Sequence, residues 1–353
     1  APVCSERHSA SGSAITAMTL PRRRFLLLGG AGLAGQLLLA SCGFGKRSEG
    51  PRPLIGVLQM VDAQPPNLTR LGFEQALAAA GYREGQNVSY LRRDAAGQPA
   101  NSAVLMRQFR SDQVDLVLAV GTPPLQAAME VMPATTPVVF CYCSNPWGTG
   151  AGTPPGGVGQ HRPNVVGTVG TNPLGKELDL ALEINPQLKR VGLIFNPAES
   201  NSNYEAKLLR QEAARRSITV VERPVANAGQ VPQAAKALQE QGVEAFVKIG
   251  DYATIEAFAA ICKVGLEHRI PVYSVDPPDI QLPGCLVVIG WNHRDDGRAA
   301  GRLAVRVLKG ESPSQMAFQP LTSTDLLVSL ATAQAIGVTV PEDLLKRADR
   351  VVR

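Results

Sequence analysis

Short apolar runs alternate along the chain with stretches in which apolar residues recur at helical spacing. The apolar runs predict nine strands, at residues 54–60, 88–92, 116–120, 138–141, 191–195, 219–222, 245–249, 272–274 and 287–290. Between them, Phe73 and Leu77 mark the apolar face of a helix that Gly81 ends. Similar faces predict helices around residues 104–109, 178–182, 208–213 and 234–241. Continuously apolar strands alternating with helices favour parallel sheets that are covered on both faces.

This alternation occurs twice, with a first series that runs to about residue 166 and a second that starts near residue 172. Residues 145–164 are rich in Gly and Pro and predict a surface insertion. We therefore predict an α/β fold of two doubly wound parallel-sheet lobes joined by a hinge. Residues 54–168 with part of 290–310 are expected to form lobe 1, and residues 169–289 with part of 311–353 to form lobe 2.

The first 41 residues have the features of an export signal. Residues 22–24 are arginines, and the apolar run at 27–40 is shorter than the ~20 residues that span a bilayer. The paired arginines resemble a twin-arginine signal, and residues 39–42, Leu-Ala-Ser-Cys, resemble a bacterial lipobox. We predict a signal peptide at 1–41, a lipid anchor on Cys42, a flexible tether over 42–53, and an exported protein held at the membrane.

The net charge bears on the possible partners, and the cysteine content bears on disulfide bonding. Of the net charge of +5, +3 lies in residues 1–41, which contain four arginines and one glutamate, so the rest of the chain carries +2. A body this close to neutral argues against nucleic acid as a partner. The cysteines at 141, 143, 262 and 285 favour buried thiols, and a disulfide between some of them stays open in an exported protein.

Motifs of common enzyme classes are absent from the sequence. It has no Gly-x-Ser-x-Gly elbow, no His-Glu-x-x-His pair and no Walker-type phosphate loop. Four histidines in 353 residues leave little material for a metal site. We therefore expect neither an enzyme nor a cofactor.

Polar residues that follow the predicted strands are candidates for a ligand site, because ligands of open α/β sheets bind beyond the carboxyl ends of the strands. Thr122 before Pro123 predicts a helix N-cap with free N–H groups for an anion. Asp251 and Asp276 offer carboxylates for an ammonium group, and Tyr252, Trp291 or Trp147 offers an apolar wall. The predicted ligand-binding residues are Gln59, Thr122, Ser144, Asn145, Asn196, Ser200, Asn201, Ser202, Asp251, Tyr252, Asp276 and Trp291.

Structural roles for some of these residues stay open at this point. Thr122, Ser200 and Asp251 are also suited to cap helices. Asp276 begins the run Asp-Pro-Pro-Asp, which is typical of a turn, and Trp291 is also suited to pack between the lobes.

Several segments, taken in order, resemble one family. They are Ile-Gly-Val-Leu-Gln at 55–59, Asp-Leu-Val-Leu-Ala-Val-Gly-Thr-Pro at 115–123, Arg-Val-Gly-Leu-Ile-Phe-Asn-Pro at 190–197 and Ala-Ile-Gly-Val-Thr-Val-Pro-Glu-Asp-Leu-Leu at 335–345. The chain is similar in these segments to the ABC transporter substrate-binding lipoproteins of the tryptophan- and tyrosine-binding type. The resemblance implies a type I periplasmic-binding-protein fold and delivery of a small ligand to a membrane permease. Where relatives often have Thr-Asp-Pro, this chain has Ser144, Asn145 and Pro146, so a carboxylate is missing there.

Together these observations predict the extracytoplasmic, monomeric solute-binding component of an ABC importer. Its ligand is expected to be small and polar, such as an amino acid with an apolar or aromatic side chain. A binding module that reports its ligand to a signalling partner is the alternative, since the same fold serves both functions.

Overall fold

Residues 52–353 are described in the computed structural model of the protein. The predicted export signal, the lipidation site Cys42 and most of the predicted tether therefore lie outside the described residues. Among the residues that are described, no helix is both long enough and apolar enough to cross a bilayer.

Strands and helices alternate along most of the described chain. The strands are β1 (Leu54–Gln59), β2 (Ser89–Asp94), β3 (Leu116–Val120), β4 (Val138–Cys141), β5 (Val165–Val169), β6 (Arg190–Phe195), β7 (Thr219–Pro224), β8 (Ala245–Val247), β9 (Val272–Ser274), β10 (Cys285–Trp291), β11 (Gln319–Pro320), β12 (Thr324–Ser329) and β13 (Arg350–Val352). The α-helices are α1 (Gln64–Ala79), α2 (Pro99–Ser111), α3 (Thr122–Val131), α4 (Leu174–Ile184), α5 (Ser200–Arg215), α6 (Val231–Glu240), α7 (Tyr252–His268), α8 (His293–Leu308), α9 (Leu330–Ile336) and α10 (Glu342–Arg347).

Lobe 1 is built on a six-stranded parallel sheet in the order β11-β5-β4-β3-β1-β2. Side chains of β3 alternate between its two faces. Leu118 belongs to a core with α1 and α8, whereas Val117 and Ala119 belong to a core with α2 and α3. Because helices cover both faces, β3 and β4 are buried along their whole length.

Lobe 2 is built on a seven-stranded sheet in the order β13-β12-β10-β9-β8-β6-β7. Helices α4, α5, α9 and α10 pack on one core of this lobe, and α6 and α7 pack on the other. Strand β12 runs antiparallel to β10, while the remaining pairs are parallel. The predicted parallel-sheet lobe is therefore confirmed, with one antiparallel pair that the sequence did not predict.

The chain passes between the lobes three times. The three passages, as we call them, are the segments between β5 and α4, between β10 and α8, and between β11 and β12. After the second passage, α8 returns to lobe 1 and packs along α1. Each lobe is thus built from two separate stretches of the chain.

All nine predicted strands are present, with ends within two residues of those predicted. The predicted insertion at 145–164 contains a turn of 3-10 helix at Trp147–Thr149, and it is tied down by aromatic packing. Trp147 and His161 both stack on Phe318, with ring centroids 5.8 and 4.6 Å apart. The four cysteines of the described residues are buried thiols, as favoured from the sequence.

Candidate functional site

A cavity lies where the carboxyl ends of the two sheets face each other. It encloses about 460 Å³ of space not occupied by atoms, part of it open solvent. Both lobes contribute to its wall, together with residues in or next to each of the three passages. The lining residues are Thr122, Tyr142, Ser144, Gly170, Asn172, Asn201, Glu205, Gly250, Tyr252, Ile255, Trp291, His293, Asp296 and Leu321.

One side of the cavity, which we call the acceptor corner, is formed by Asn172, Asn201, Glu205 and Gly250. Asn201 and Glu205 lie four residues apart on α5 and therefore share one helix face. The Glu205 carboxylate is fully buried and accepts from Asn172 Nδ2 at 2.9 and 3.1 Å and from Gly250 N at 2.7 Å. Asn201 Nδ2 donates to Gly250 O at 2.6 Å, which leaves Asn201 Oδ1 buried without a partner.

The acceptor corner contains a buried carboxyl group with no described lysine or arginine beside it in the cavity. Burial raises the pKa of Glu205, and its hydrogen bonds, led by that from Asn172, oppose the rise. No lysine or arginine is among the described residues that line the cavity. The corner is therefore suited to a ligand group that is cationic and carries N–H donors.

Three aromatic side chains, Tyr142, Tyr252 and Trp291, line the cavity. The rings of Tyr142 and Tyr252 meet edge to face, with centroids 6.4 Å apart. Trp291 lies at the second passage, where its Nε1 donates to Thr171 O at 3.1 Å. These rings give the cavity apolar area next to the acceptor corner.

Tyr142 is held in place at both ends. Its N–H donates to Asp296 Oδ2 at 2.8 Å, and its hydroxyl donates to Asp276 Oδ1 at 3.3 Å. Its φ of +53° is uncommon for a bulky residue and requires support from its surroundings. The two carboxylates provide that support and fix the ring against the cavity.

A buried ionic cluster lies behind Tyr142. Asp276 Oδ2 is 2.8 Å from Lys248 Nζ, and Asp276 Oδ1 is 3.1 Å from His293 Nε2. Burial disfavours the charged form of both Lys248 and Asp276, but their mutual attraction outweighs it, so the pKa of Lys248 is raised and that of Asp276 is lowered. The Asp276 carboxylate is thus engaged with protein groups from both lobes.

The helix start at Thr122 differs from the prediction. The N-cap is Gly121, no side chain caps the helix, and Thr122 is the first helical residue. Pro123 and Pro124 have no N–H, and Leu125 N donates to Gly121 O. Of the first four residues of α3, Thr122 therefore supplies the one N–H that is left for an anion.

Five of the predicted ligand residues line the cavity, namely Thr122, Ser144, Asn201, Tyr252 and Trp291. Two others are engaged within lobe 1. Gln59 Nε2 donates to Val61 O and Asn67 Oδ1, both at 2.9 Å, and Asn145 Oδ1 accepts from Gly148 N at 3.0 Å.

The predicted residues around Asp251 form a buried cluster of their own in lobe 2. Asp251 caps α7 by accepting from Thr254 N at 2.8 Å. It also accepts from Asn196 N at 2.6 Å and from Ser202 Oγ at 2.7 Å. Ser200 Oγ is buried without a partner, and Ser200 lies in a groove next to α3. This cluster fixes the starts of α5 and α7, which carry Asn201 and Tyr252.

Several lining residues were not predicted from the sequence, including Tyr142, Asn172, Glu205, His293 and Asp296. The predicted candidates lie close after strands, whereas Glu205 lies in the second turn of a helix. The available signal was its spacing of four from Asn201, which places it on the face that starts at the strand end.

The chain is similar to several known proteins. Residues 54–352 match the sequence model of a family described as ABC transporter substrate binding protein. The tyrosine-binding protein of Clostridioides difficile (strain R20291) is 26% identical over 287 residues, which cover 80% of this chain and 81% of that protein.

Two solved structures show the same architecture. A conserved domain protein from Vibrio cholerae superposes with a TM-score of 0.81 at 26% identity and covers 85% of this chain and 99% of its own. The ABC domain from Streptococcus pneumonia, solved in complex with L-Trp, superposes with a TM-score of 0.79 at 24% identity and covers 85% of this chain and 100% of its own. These superpositions confirm the two-lobed α/β fold.

Proposed function

Because the chain belongs to the family of ABC transporter substrate-binding proteins, we propose that it captures a small ligand outside the cytoplasm and passes it to a membrane permease for import. The family assignment confirms the resemblance found in the sequence motifs, and the fold is that of type I periplasmic binding proteins. Members of the family are ligand-binding components of transporters, in agreement with the prediction that this chain is not an enzyme.

We propose that the ligand is an amino acid with an aromatic or apolar side chain. The acceptor corner is the observation that carries this proposal. Glu205 is a buried carboxylate with no lysine or arginine among the described residues that line the cavity, and Asn201 Oδ1 is a buried acceptor without a donor. An α-ammonium group supplies both a positive charge and three N–H donors to these atoms.

The remaining walls suit the rest of such a ligand. The side chain of the ligand packs against the apolar rings of Tyr142, Tyr252 and Trp291. The α-carboxylate of the ligand accepts a hydrogen bond from the N–H of Thr122, at the positive end of α3. The relatives named for tyrosine binding and for a complex with L-Trp support this ligand class.

We also propose that the protein is monomeric and is anchored to the membrane through lipid on Cys42. The proposal of a lipid anchor rests on the lipobox-like residues 39–42. Mass spectrometry of the mature N-terminus from membrane extracts is the direct check, and an unmodified Cys42 would refute the anchor.

Isothermal titration of the purified protein against a panel of amino acids tests the ligand class. We expect L-tyrosine or L-tryptophan to bind, and its N-acetyl derivative to bind far more weakly because it lacks the ammonium group. Glu205→Gln keeps an acceptor for Asn172 and Gly250 but removes the charge. We expect it to weaken binding by roughly 10- to 100-fold.

Glu212→Gln is the matched control, since it makes the same change on the same helix at a residue outside the cavity. We expect its affinity to equal that of the unmodified protein. If no amino acid binds, or if Glu205→Gln binds as tightly as Glu212→Gln, the proposed ligand class is wrong.

A further inference from the structure

The side chain of Tyr252 belongs to lobe 2 but is buried in lobe 1. Tyr252 is the first residue of α7 and is 3% exposed. It forms one apolar cluster with Met60, Val61 and Ala95, which follow β1 and β2 of lobe 1. We call these three residues, together with Gly121, the socket.

Gly121 makes room for the end of the Tyr252 ring. A methyl group on Gly121 would overlap the Tyr252 hydroxyl oxygen. Gly121 also has a φ of +110°, a backbone conformation that glycine adopts without strain. The carboxyl ends of the lobe 1 strands therefore leave space for a side chain from lobe 2.

The backbone of Tyr252 is held rigidly in lobe 2. Its N–H donates to Glu199 Oε2 at 3.0 Å, and the preceding Asp251 caps α7. Ile255, one turn along α7, packs against the same cluster. Because its backbone is fixed in lobe 2, the ring is withdrawn from the socket when lobe 2 moves away from lobe 1.

We propose that Tyr252 is a positioning residue that holds the lobes together by docking in the socket, even when no ligand is bound. The docked ring buries apolar area that separated lobes would expose to water, so it favours the closed arrangement. Tyr252 also lines the cavity, so the docked ring completes the ligand site before the ligand arrives.

The effect on ligand affinity rests on the proposed function, whereas the effect on the free protein does not. If only the closed form binds tightly, the apparent dissociation constant rises by the factor by which the closed population falls. We expect Tyr252→Ala to weaken binding of L-tyrosine or L-tryptophan by roughly 10- to 100-fold.

Small-angle X-ray scattering of the ligand-free protein tests the proposal without reference to any ligand. We expect Tyr252→Ala to have a larger radius of gyration than the unmodified protein. Tyr82→Ala is the matched control, because Tyr82 follows α1 and lies at the other end of the lobe 1 strands, away from the socket. We expect its radius of gyration to be unchanged.

A second pair of variants approaches the contact from lobe 1. Gly121→Ala should also enlarge the free protein, because its methyl group excludes the ring. In Tyr252→Ala the same substitution should add little, since the ring it would exclude is already gone. Backbone strain at residue 121 is the same in the unmodified protein and in Tyr252→Ala. The difference between the two therefore measures the exclusion of the Tyr252 ring.

Equal radii for Tyr252→Ala, Gly121→Ala and the unmodified protein would overturn the proposal. So would a Gly121→Ala effect that is the same with and without the Tyr252 ring. A failure of all amino acids to bind, with the expected change in radius, would instead refute the ligand class and leave the docking role intact.

Discussion

Glu199 shows how burial changes the chemistry of a single carboxyl group. It is 1% exposed and lies beside Asp251, with which it shares contacts to Ser202 Oγ at 3.4 and 2.7 Å. Burial, followed by the charge of Asp251, raises the pKa of Glu199 from 4.5 to about 8. The folded protein therefore keeps a proton on Glu199 at pH values where the unfolded chain has released it.

This retained proton predicts a dependence of stability on pH. Between about pH 4.5 and about pH 8, folding binds a proton at Glu199, so the contribution is complete below this range and is lost as the pH rises through it. Glu199→Gln carries no titrating group and keeps an acceptor for Tyr252 N. We expect the stability of the unmodified protein, relative to Glu199→Gln, to fall by at most about 1.4 kcal/mol per pH unit.

Urea unfolding at pH 5, 6.5 and 8 measures this difference. Glu222→Gln, on a half-buried strand of the same lobe, is the control and should follow the unmodified protein across these pH values. Parallel profiles for Glu199→Gln and the unmodified protein would contradict the assignment.

The candidate site could be predicted only in part at the residue scale. Asn201 and Tyr252 were found because they follow strand ends, where the fold class places ligands. Asp251 satisfies the same criterion, but its oxygens accept from groups within lobe 2. Which of two adjacent polar residues faces the cavity depends on helix orientation, and that is set by tertiary packing.

Helices α1 and α8 join distant parts of the chain at a close contact. A methyl group on Gly301 would lie 2.6 Å from Ala76 Cβ and 2.7 Å from Phe73 O. Since no side chain fits between the helices at this point, their backbones approach each other closely. The second passage is thereby fixed to lobe 1 just beyond Trp291.

Gly301→Ala is expected to destabilise the protein. At an exposed helical position this change stabilises by about 1 kcal/mol, but here the methyl group overlaps α1 and overpacking costs about 1–3 kcal/mol. Thermal unfolding followed by circular dichroism measures the outcome, with the exposed neighbour Arg302→Ala as a control of little effect. A raised melting temperature for Gly301→Ala would show that the contact is looser than described.

At the scale of elements, the sequence predicted strands better than connections. Strands β3, β4 and β9 were placed to the residue, because continuous apolar runs bounded by turn residues have few other interpretations. Strand β11 has no apolar run, and strand β13 has only two apolar residues after Arg350, so neither shows a strand pattern. The antiparallel direction of β12 follows from the third passage, which no local pattern reveals.

At the scale of the whole molecule, the three passages hold the lobes together independently. Thr322 and Ser323 in the third passage are exposed, and a protease site inserted between them would cut one passage of three. We expect the cut protein to elute as a single species of unchanged size on gel filtration and to separate only in denaturant. The piece after the cut contains β12, which pairs with β10, and helices α9 and α10, which pack on the lobe 2 core, so it stays bound to the rest of the chain. Two species under native conditions would contradict it.

The division of each lobe between two separate stretches of the chain also governs how the protein is made. Lobe 1 begins at β1, but α8 and β11 are its last parts and lie within the final 61 residues, after most of lobe 2. A ribosome must therefore synthesise most of the polypeptide before the first lobe has all its elements. During that interval the faces of α1, β4 and β5 that α8 later covers are available to chaperones, so folding is expected to finish only after synthesis is nearly complete.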